Sequence, residues 1–284
     1  MIIRSYRHSA NFLARIQPVL EENEVANSLM LGLALRQVQH EKPDGTLFRS
    51  VHDELGVIAV SMQTPGRSVI IYAHRPDVTD AFAMIVADYF QNRRDPLGVV
   101  GPKSIALRFA QLWQVVSGEE PHIFQNQRLY QCKAVTNFDL TPGKLRKAYK
   151  KEVPMLIDWS MDFSKATAEN PTEAQIEQSL QDDIEEGNLF VWTDGTQAVS
   201  MLKKNRPTTN TIAISFVYTP SELRGRGYAT AGVHTLTAQL LKEGYQACTL
   251  YTDLNNPTSN HIYQRIGYQP VLEFDHYHFL PPTK

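Results

Sequence analysis

The stretch Arg224-Gly225-Arg226-Gly227-Tyr228-Ala229-Thr230 has the residue types that hold a phosphate. Two glycines let the backbone turn tightly and keep side chains out of a ligand's way. The residues that follow have the pattern of an amphipathic helix. The first turn of a helix presents unpaired N–H groups and a partial positive charge. Together these features make a seat for a phosphate or pyrophosphate, and Arg224 and Arg226 can add charge-assisted hydrogen bonds. Two well-known phosphate loops do not match. A Walker loop needs Gly-Lys-Ser/Thr, which is absent. A Rossmann fingerprint needs glycine or alanine at its sixth position, where Gly225-Arg226-Gly227-Tyr228-Ala229-Thr230 has threonine.

The elements around this turn follow from periodicity. Thr211 to Tyr218 reads as a strand ended by Pro220, and Gly227 to Lys242 as a helix with Ala229, Val233, Leu236 and Leu240 on one stripe. Pro154 to Ser164 and Thr172 to Glu186 read as helices, the second bounded by Pro-Thr and Gly187. Leu189 to Trp192 and Ala198 to Lys203 form a hairpin around Asp194-Gly195. Gln246 to Tyr251 is a strand, Ser259 to Arg265 a helix and Tyr268 to Phe279 a strand.

The first half has a similar order. It predicts a helix over Val19 to Gln39, strands over Ser50 to Met62 and Ser68 to Tyr72, and a helix over Asp77 to Asn92. A short strand at Leu97 to Val100, a helix over Ser104 to Val116 and a strand over Asn126 to Val135 follow. Ile70 to Pro76 corresponds to Ile214 to Pro220, and the later prolines Pro102 and Pro257 correspond as well. The reading is two copies of one α/β (α+β) fold. In the first copy, His74-Arg75-Pro76-Asp77-Val78 stands where the glycine turn would be. The expected boundary gives domains 1–137 and 138–284.

Composition narrows the classes. A chain of 284 residues that is 42% hydrophobic can bury two cores. A net charge of -2 leaves no large basic footprint for nucleic acid or an anionic membrane. Arg224-Gly225-Arg226-Gly227 resembles an RG repeat, but one copy between a strand and a helix does not support RNA binding. Cys132 and Cys248 give neither a disulfide framework nor a CxxC metal pair and read as buried thiols. Without an apolar leader or a spanning run, the expectation is a soluble, cytoplasmic protein. His276 and His278 share one strand face and lack a third ligand, so an exposed face is expected rather than a metal site. Lys144 to Lys151 reads as a basic, helix-like linker.

At this point a resemblance becomes specific. Arg224, Gly227 and Ala229 match the pyrophosphate motif Arg/Gln-x-x-Gly-x-Gly/Ala of the GNAT superfamily of N-acetyltransferases. The apolar strand Ile214 to Thr219 precedes it. Downstream, Leu250 to Tyr268 resembles the family's second half, with an Asn-rich turn, a short helix and a Tyr-x-x-x-Gly-Phe/Tyr ending at Tyr263, Gly267 and Tyr268. The match covers roughly residues 150 to 284, and the first half only by layout.

The resemblance implies two GNAT-like domains, each a mixed, mostly antiparallel sheet flanked by helices, with acetyl-CoA as cosubstrate of the second. The pyrophosphate would lie on the backbone N–H groups of Arg224, Gly225, Arg226, Gly227, Tyr228, Ala229 and Thr230. The backbone of Phe216, Val217 and Tyr218 would pair with the pantetheine arm like an added strand. Asn256 and Asn260 would line the cleft, with helix capping the plainer role for Asn260. Tyr263 would give a proton to the leaving thiolate, and its plainer role is core packing. A backbone N–H near Val217 or Tyr218 would stabilise the oxyanion. The general base stays open among Glu222, Asp253 and His234, each of which has a structural reading. Trp159, Met161 and Phe163 would line the acceptor pocket or pack in the core.

The implied activity is direct acetyl transfer to a primary amine, on a small molecule or a peptide, in a ternary complex. The first copy would not bind CoA and would shape the acceptor pocket. A non-catalytic acyl-CoA-binding regulator and an ATP- or NAD-binding enzyme are the alternatives. The acceptor and the oligomeric state are not legible.

Overall fold

A computed structural model describes residues 1–39, 45–166 and 171–282. The chain divides into two compact units. One comprises Met1–Tyr130, Tyr251–Pro257 and the residues from Pro270 onward; the other comprises Gln131–Leu250 and Thr258–Gln269. The units are thus interleaved in sequence rather than divided by one cut near residue 137.

The first unit runs β1 (Ile2–Tyr6), α1 (Ser9–Glu21), α2 (Glu24–Gln39), β2 (Leu47–Asp53), β3 (Gly56–Gln63), β4 (Val69–Ala73), α3 (Thr79–Gln91), β5 (Gly98–Pro102), α4 (Lys103–Ser117) and β6 (Glu120–Cys132). The second runs β7 (Lys144–Lys147), α5 (Val153–Ala166), α6 (Glu173–Glu185), β8 (Leu189–Asp194), β9 (Gln197–Asn205), β10 (Thr211–Tyr218), α7 (Tyr228–Lys242), β11 (Ala247–Asp253) and α8 (Pro257–Ile266). The last strand, β12 (Gln269–Leu280), returns to the first unit, where Phe274 to His278 pairs antiparallel with Pro102 to Gly98 of β5.

The strand order is β1-β2-β3-β4-β5-β12-β6 in the first unit and β11-β10-β9-β8-β7 in the second. In both, a meander of antiparallel strands ends in one parallel pair, β4 with β5 and β10 with β11. Each is a mixed, mostly antiparallel α/β sheet with helices on both faces. One core of the first unit gathers Phe12, Ile16, Leu20 and Leu31 from α1 and α2 with Phe48, Val60 and Met62. The opposite face gathers Phe82, Ile85, Phe109 and Trp113 from α3 and α4 with Tyr277 and Phe279 of β12. Burial on both faces explains the unbroken apolar run Val57 to Val60 in β3.

Several sequence expectations change. The helix expected over Val19 to Gln39 is the end of α1 followed by α2, and β1 and α1 occupy the segment before it, with Pro18 near the end of α1. Ser50 to Met62 is not one strand but a hairpin that turns at Glu54-Leu55. Lys144 to Lys147 is an edge strand rather than a helix-like linker, pairing Leu145 with Trp192. Its alternation of Lys, Leu, Arg and Lys hides a single inward residue. Among the described residues, no helix is long and apolar enough to cross a membrane.

His276 and His278 do not form an exposed face. His278 stacks on Phe124 at 4.0 Å between ring centroids, and His276 Nε2 lies 2.7 Å from Ser68 Oγ. Burial, with His278 adding to it, pushes His276 down to about 4. A histidine held neutral in the folded state stabilises the protein above its unfolded value of 6.5. That stabilisation is lost as pH falls through the folded value. Melting curves from pH 7 to pH 4 are expected to show a loss of about 3 kcal/mol from this group. The slope is expected to flatten in His276→Asn.

Candidate active site

The second unit brings the glycine turn and the apolar strand together. On one side, β10 pairs antiparallel with β9, with Ser215 opposite Lys203 and Tyr218 opposite Met201. The register slips by one residue between these pairs, so Phe216 and Val217 together face Leu202 in a β-bulge. Phe216 sits at φ 58, a left-handed backbone that aromatic residues rarely adopt. On the other side, the parallel ladder with β11 covers only Thr211 to Ala213. Beyond Ala213 the two strands part, which leaves that edge of β10 open from Ile214 to Tyr218.

The bulge is held from one face. Phe216 meets Phe163 of α5 edge-on at 4.9 Å, and Lys203 Nζ lies 5.6 Å from the Phe216 ring. Lys203 is itself fixed by Asp183 of α6 at 2.8 Å, a pair with little solvent exposure. Tyr218 is buried near Trp159, with its hydroxyl 3.2 Å from Asp162 Oδ2. Burial and the Asp162 carboxylate raise the Tyr218 phenol above its usual range. The Tyr218 carbonyl accepts from the fully buried Ser200 hydroxyl at 2.8 Å. Trp159, Met161 and Phe163 pack against this core, whose buried members include Leu156, Leu180 and Val191. The backbone strain therefore rests on side-chain packing, a pattern that clusters at functional sites.

After Pro220, a single 3-10 turn over Ser221–Leu223 leads to the exposed residues Arg224, Gly225, Arg226 and Gly227. Gly225 and Gly227 have φ 76 and φ 81. A Cβ at Gly227 would run into the Thr141 hydroxyl, which donates to the Arg226 carbonyl at 2.8 Å. Gly227 caps α7 in a left-handed conformation without a side-chain bond to the first turn, and that turn carries no acidic residue. The N–H groups of the turn and first helical residues thus point outward at a positive helix end.

The arginines act first on the loop itself. Arg224 Nε donates to the Thr219 carbonyl at 3.0 Å, and its guanidinium lies 5.8 Å from the Tyr218 ring. Arg226 reaches the Glu222 carbonyl at 3.4 Å. Tyr228 and Thr230 turn inward: Tyr228 is buried, and its hydroxyl lies 2.6 Å from Asp194 Oδ2. These two residues have only their backbone to offer a ligand, and Ala229 has no polar side chain.

Tyr263 lies on α8, 8% exposed, with its ring 6.0 Å edge-on from Tyr268. Tyr268 is anchored to α7 through the Thr237 hydroxyl at 2.8 Å. Burial pushes the Tyr263 phenol up to about 12. Asn260 is half-buried in the first turn of α8, whereas Asn256 belongs to the first unit and is exposed. The base candidates have structural roles. His234 Nε2 donates to the Thr136 carbonyl at 3.0 Å, and its Nδ1 is buried. Asp253 accepts from the Asn255 N–H at 2.7 Å, and Glu222 accepts from Ser221.

Sequence reasoning did not single out Ser200, Asp162 or Thr141. No local pattern marks them, because each matters only through contact with a distant segment. An open strand edge with a kinked backbone, followed at once by an anion seat, suits an extended ligand that ends in phosphates.

Residues 153–268 match the acetyltransferase (GNAT) family model. Among solved structures, an acetyltransferase from the GNAT family of Colwellia psychrerythraea is similar over 98% of this chain and 100% of its own, with 13% identity and a TM-score of 0.59. A Drosophila protein is similar over 99% of both chains, with 12% identity and a TM-score of 0.65. A tandem GNAT protein from the clavulanic acid biosynthesis pathway is similar over 100% of both, with 9% identity and a TM-score of 0.57. At these identities the likeness is one of fold. No curated protein matches the chain.

Proposed function

We propose, from the match of residues 153–268 to the acetyltransferase (GNAT) family model, that the chain is an acyltransferase that transfers an acetyl group from acetyl-CoA to a primary amine by direct attack. The observation that carries this reading is the bulge at Phe216, at φ 58 on an open strand edge, leading straight to the glycine turn of α7.

The residues fit the cosubstrate. The outward N–H groups from Arg224 to Thr230 suit a pyrophosphate, and the free edge at Phe216, Val217 and Tyr218 suits an extended amide-bearing arm. Bound there, acetyl-CoA supplies an acyl group activated as a thioester. The protein's part is positioning and charge. A backbone N–H at Val217 or Tyr218, turned by the bulge, donates to the carbonyl oxygen as it gains negative charge. Fixed donors of this kind need no reorganisation as charge develops. The amine nitrogen bonds to the acyl carbon and loses a proton to solvent or to a base, while the carbon–sulfur bond breaks. The Tyr263 phenol, uncharged at neutral pH, gives its proton to the departing sulfur. Asn260, in the first turn of α8, lines the same cleft.

Calorimetric titration with acetyl-CoA, beside ATP and NAD, tests the reading. Micromolar binding of acetyl-CoA at one site per chain is expected, with thiol release in the presence of amines. Preference for ATP or NAD would sink it. Binding without turnover on any amine would leave an acyl-CoA-binding regulator instead.

A further inference from the structure

The first unit contains a groove of about 580 Å³ between β1 and α1, lined by Arg4, Ser5, Tyr6, Asn11, Ala14 and Arg15. None of these residues belongs to the site above. The sequence here is one-sided in charge: Arg4, Arg7, His8 and Arg15 precede Glu21, and no Asp or Glu does. The N-terminus of α1 adds to the positive field, since its first turn has no acidic residue. Neither Arg4 nor Arg15 forms an ion pair with a described residue, although acids elsewhere in the unit hold Arg49 and Arg75.

Beneath the groove runs a buried hydroxyl chain. Arg4 and Tyr6 share one face of β1, and Arg4 stands opposite Ser50 of β2. Tyr6 Oη lies 2.8 Å from Ser50 Oγ, which lies 2.7 Å from His52 Nε2. Ser50 is fully buried and Tyr6 is 9% exposed. His52 is held below its ordinary value by burial, then by the charges of Arg4 and Arg15, with Asp53 opposing. Both guanidiniums, one from β1 and one from α1, therefore act on the same imidazole.

We propose that this groove binds a phosphate-bearing small molecule, clamped between the guanidiniums of Arg4 and Arg15. Two forked cations, the Asn11 amide and the Tyr6 hydroxyl offer more donors than the two oxygens of a carboxylate can use. A phosphate can use them. The groove also exceeds a bare phosphate, which leaves room for the group it is attached to.

The hydroxyl chain couples binding to one proton. In the neutral tautomer that carries its proton on Nδ1, His52 accepts through Nε2 from Ser50, and Ser50 is then satisfied by accepting from Tyr6. When His52 takes a proton from solvent, Nε2–H donates to Ser50. The Ser50 proton then turns to Tyr6, and the Tyr6 hydroxyl is freed to donate into the groove. An anion there favours the protonated form.

The test uses the full chain, with inorganic phosphate and phenyl phosphate as probes at constant ionic strength. The His52 ring resonance is followed by NMR and assigned with His52→Asn. Saturable binding that raises the His52 pKa is expected. Arg4→Gln and Arg15→Gln, both at exposed positions, are expected to weaken binding roughly tenfold or more each. Gly227→Glu is expected to leave it unchanged. Melting temperatures check that each variant is folded. Unchanged affinity in both arginine variants would overturn the proposal. So would loss of binding in Gly227→Glu, or acetate binding as tightly as phosphate.

Discussion

Replacing Gly227 by glutamate is expected to abolish acetyl-CoA binding while the chain remains folded. Three effects act together. At φ 81 any L side chain costs about 1–2 kcal/mol. The new Cβ meets the Thr141 hydroxyl, which must give up its bond to the Arg226 carbonyl. The carboxylate then becomes the anion at the positive end of α7, in competition with the pyrophosphate and repelling it. Gly225 separates strain from clash. It has φ 76, but its Cβ would meet open space. Gly225→Ala is therefore expected to lose only part of the affinity. Titration calorimetry reads both variants, and thermal melts check folding. Affinity in Gly227→Glu within a few-fold of the parent would mean that the pyrophosphate does not lie on this turn.

Tyr263→Phe is expected to lower turnover by about 10²–10⁴ and to leave acetyl-CoA affinity within about twofold, since the ring and its packing remain. The pH profile carries a second expectation. Burial pushes the Tyr263 phenol up to about 12, so it keeps its proton throughout the range in which an acceptor amine becomes neutral. The rate should rise as the amine loses its proton and should show no falling limb below about pH 10. Single-turnover rates against pH check this. Equal turnover in the phenylalanine variant would remove Tyr263 from the mechanism.

Much of the second unit was legible in the sequence because its signals are local. Thr172 caps α6 through a reciprocal bond with Gln175, as the Pro-Thr start suggests. Asp194-Gly195 turns the β8–β9 hairpin, and β10 spans Thr211–Tyr218 as its apolar run predicts. The glycine turn declares itself because only glycine tolerates such backbone angles cheaply. The bulge does not. Phe216 in a left-handed conformation has no sequence signal, since packing from Phe163 and Lys203 imposes it from outside the strand. The short edge strand β7 was hidden by its three basic residues, and the β2–β3 hairpin by a turn that lacks the usual Asn-Gly or Asp-Gly. The edge of the first unit was likewise missed, because β1 is short and α1 contains a proline. The path of β12 is a question of pairing across the whole chain, and periodicity says nothing about it.

That path has a bearing on synthesis. A ribosome delivers β5 early and β12 only after the second unit, so the first unit begins to emerge before the second and is completed after it. Until Phe274 to His278 arrives, β5 lacks its antiparallel partner, and Trp113 lacks the Phe279 ring that stacks on it at 5.5 Å. The nascent chain must keep an unfinished sheet edge in solution while the intervening residues fold, a long-range closure that slows assembly. A nonsense mutation near residue 270 would therefore spare the glycine turn and Tyr263, yet its damage would fall on the half of the protein that was made first.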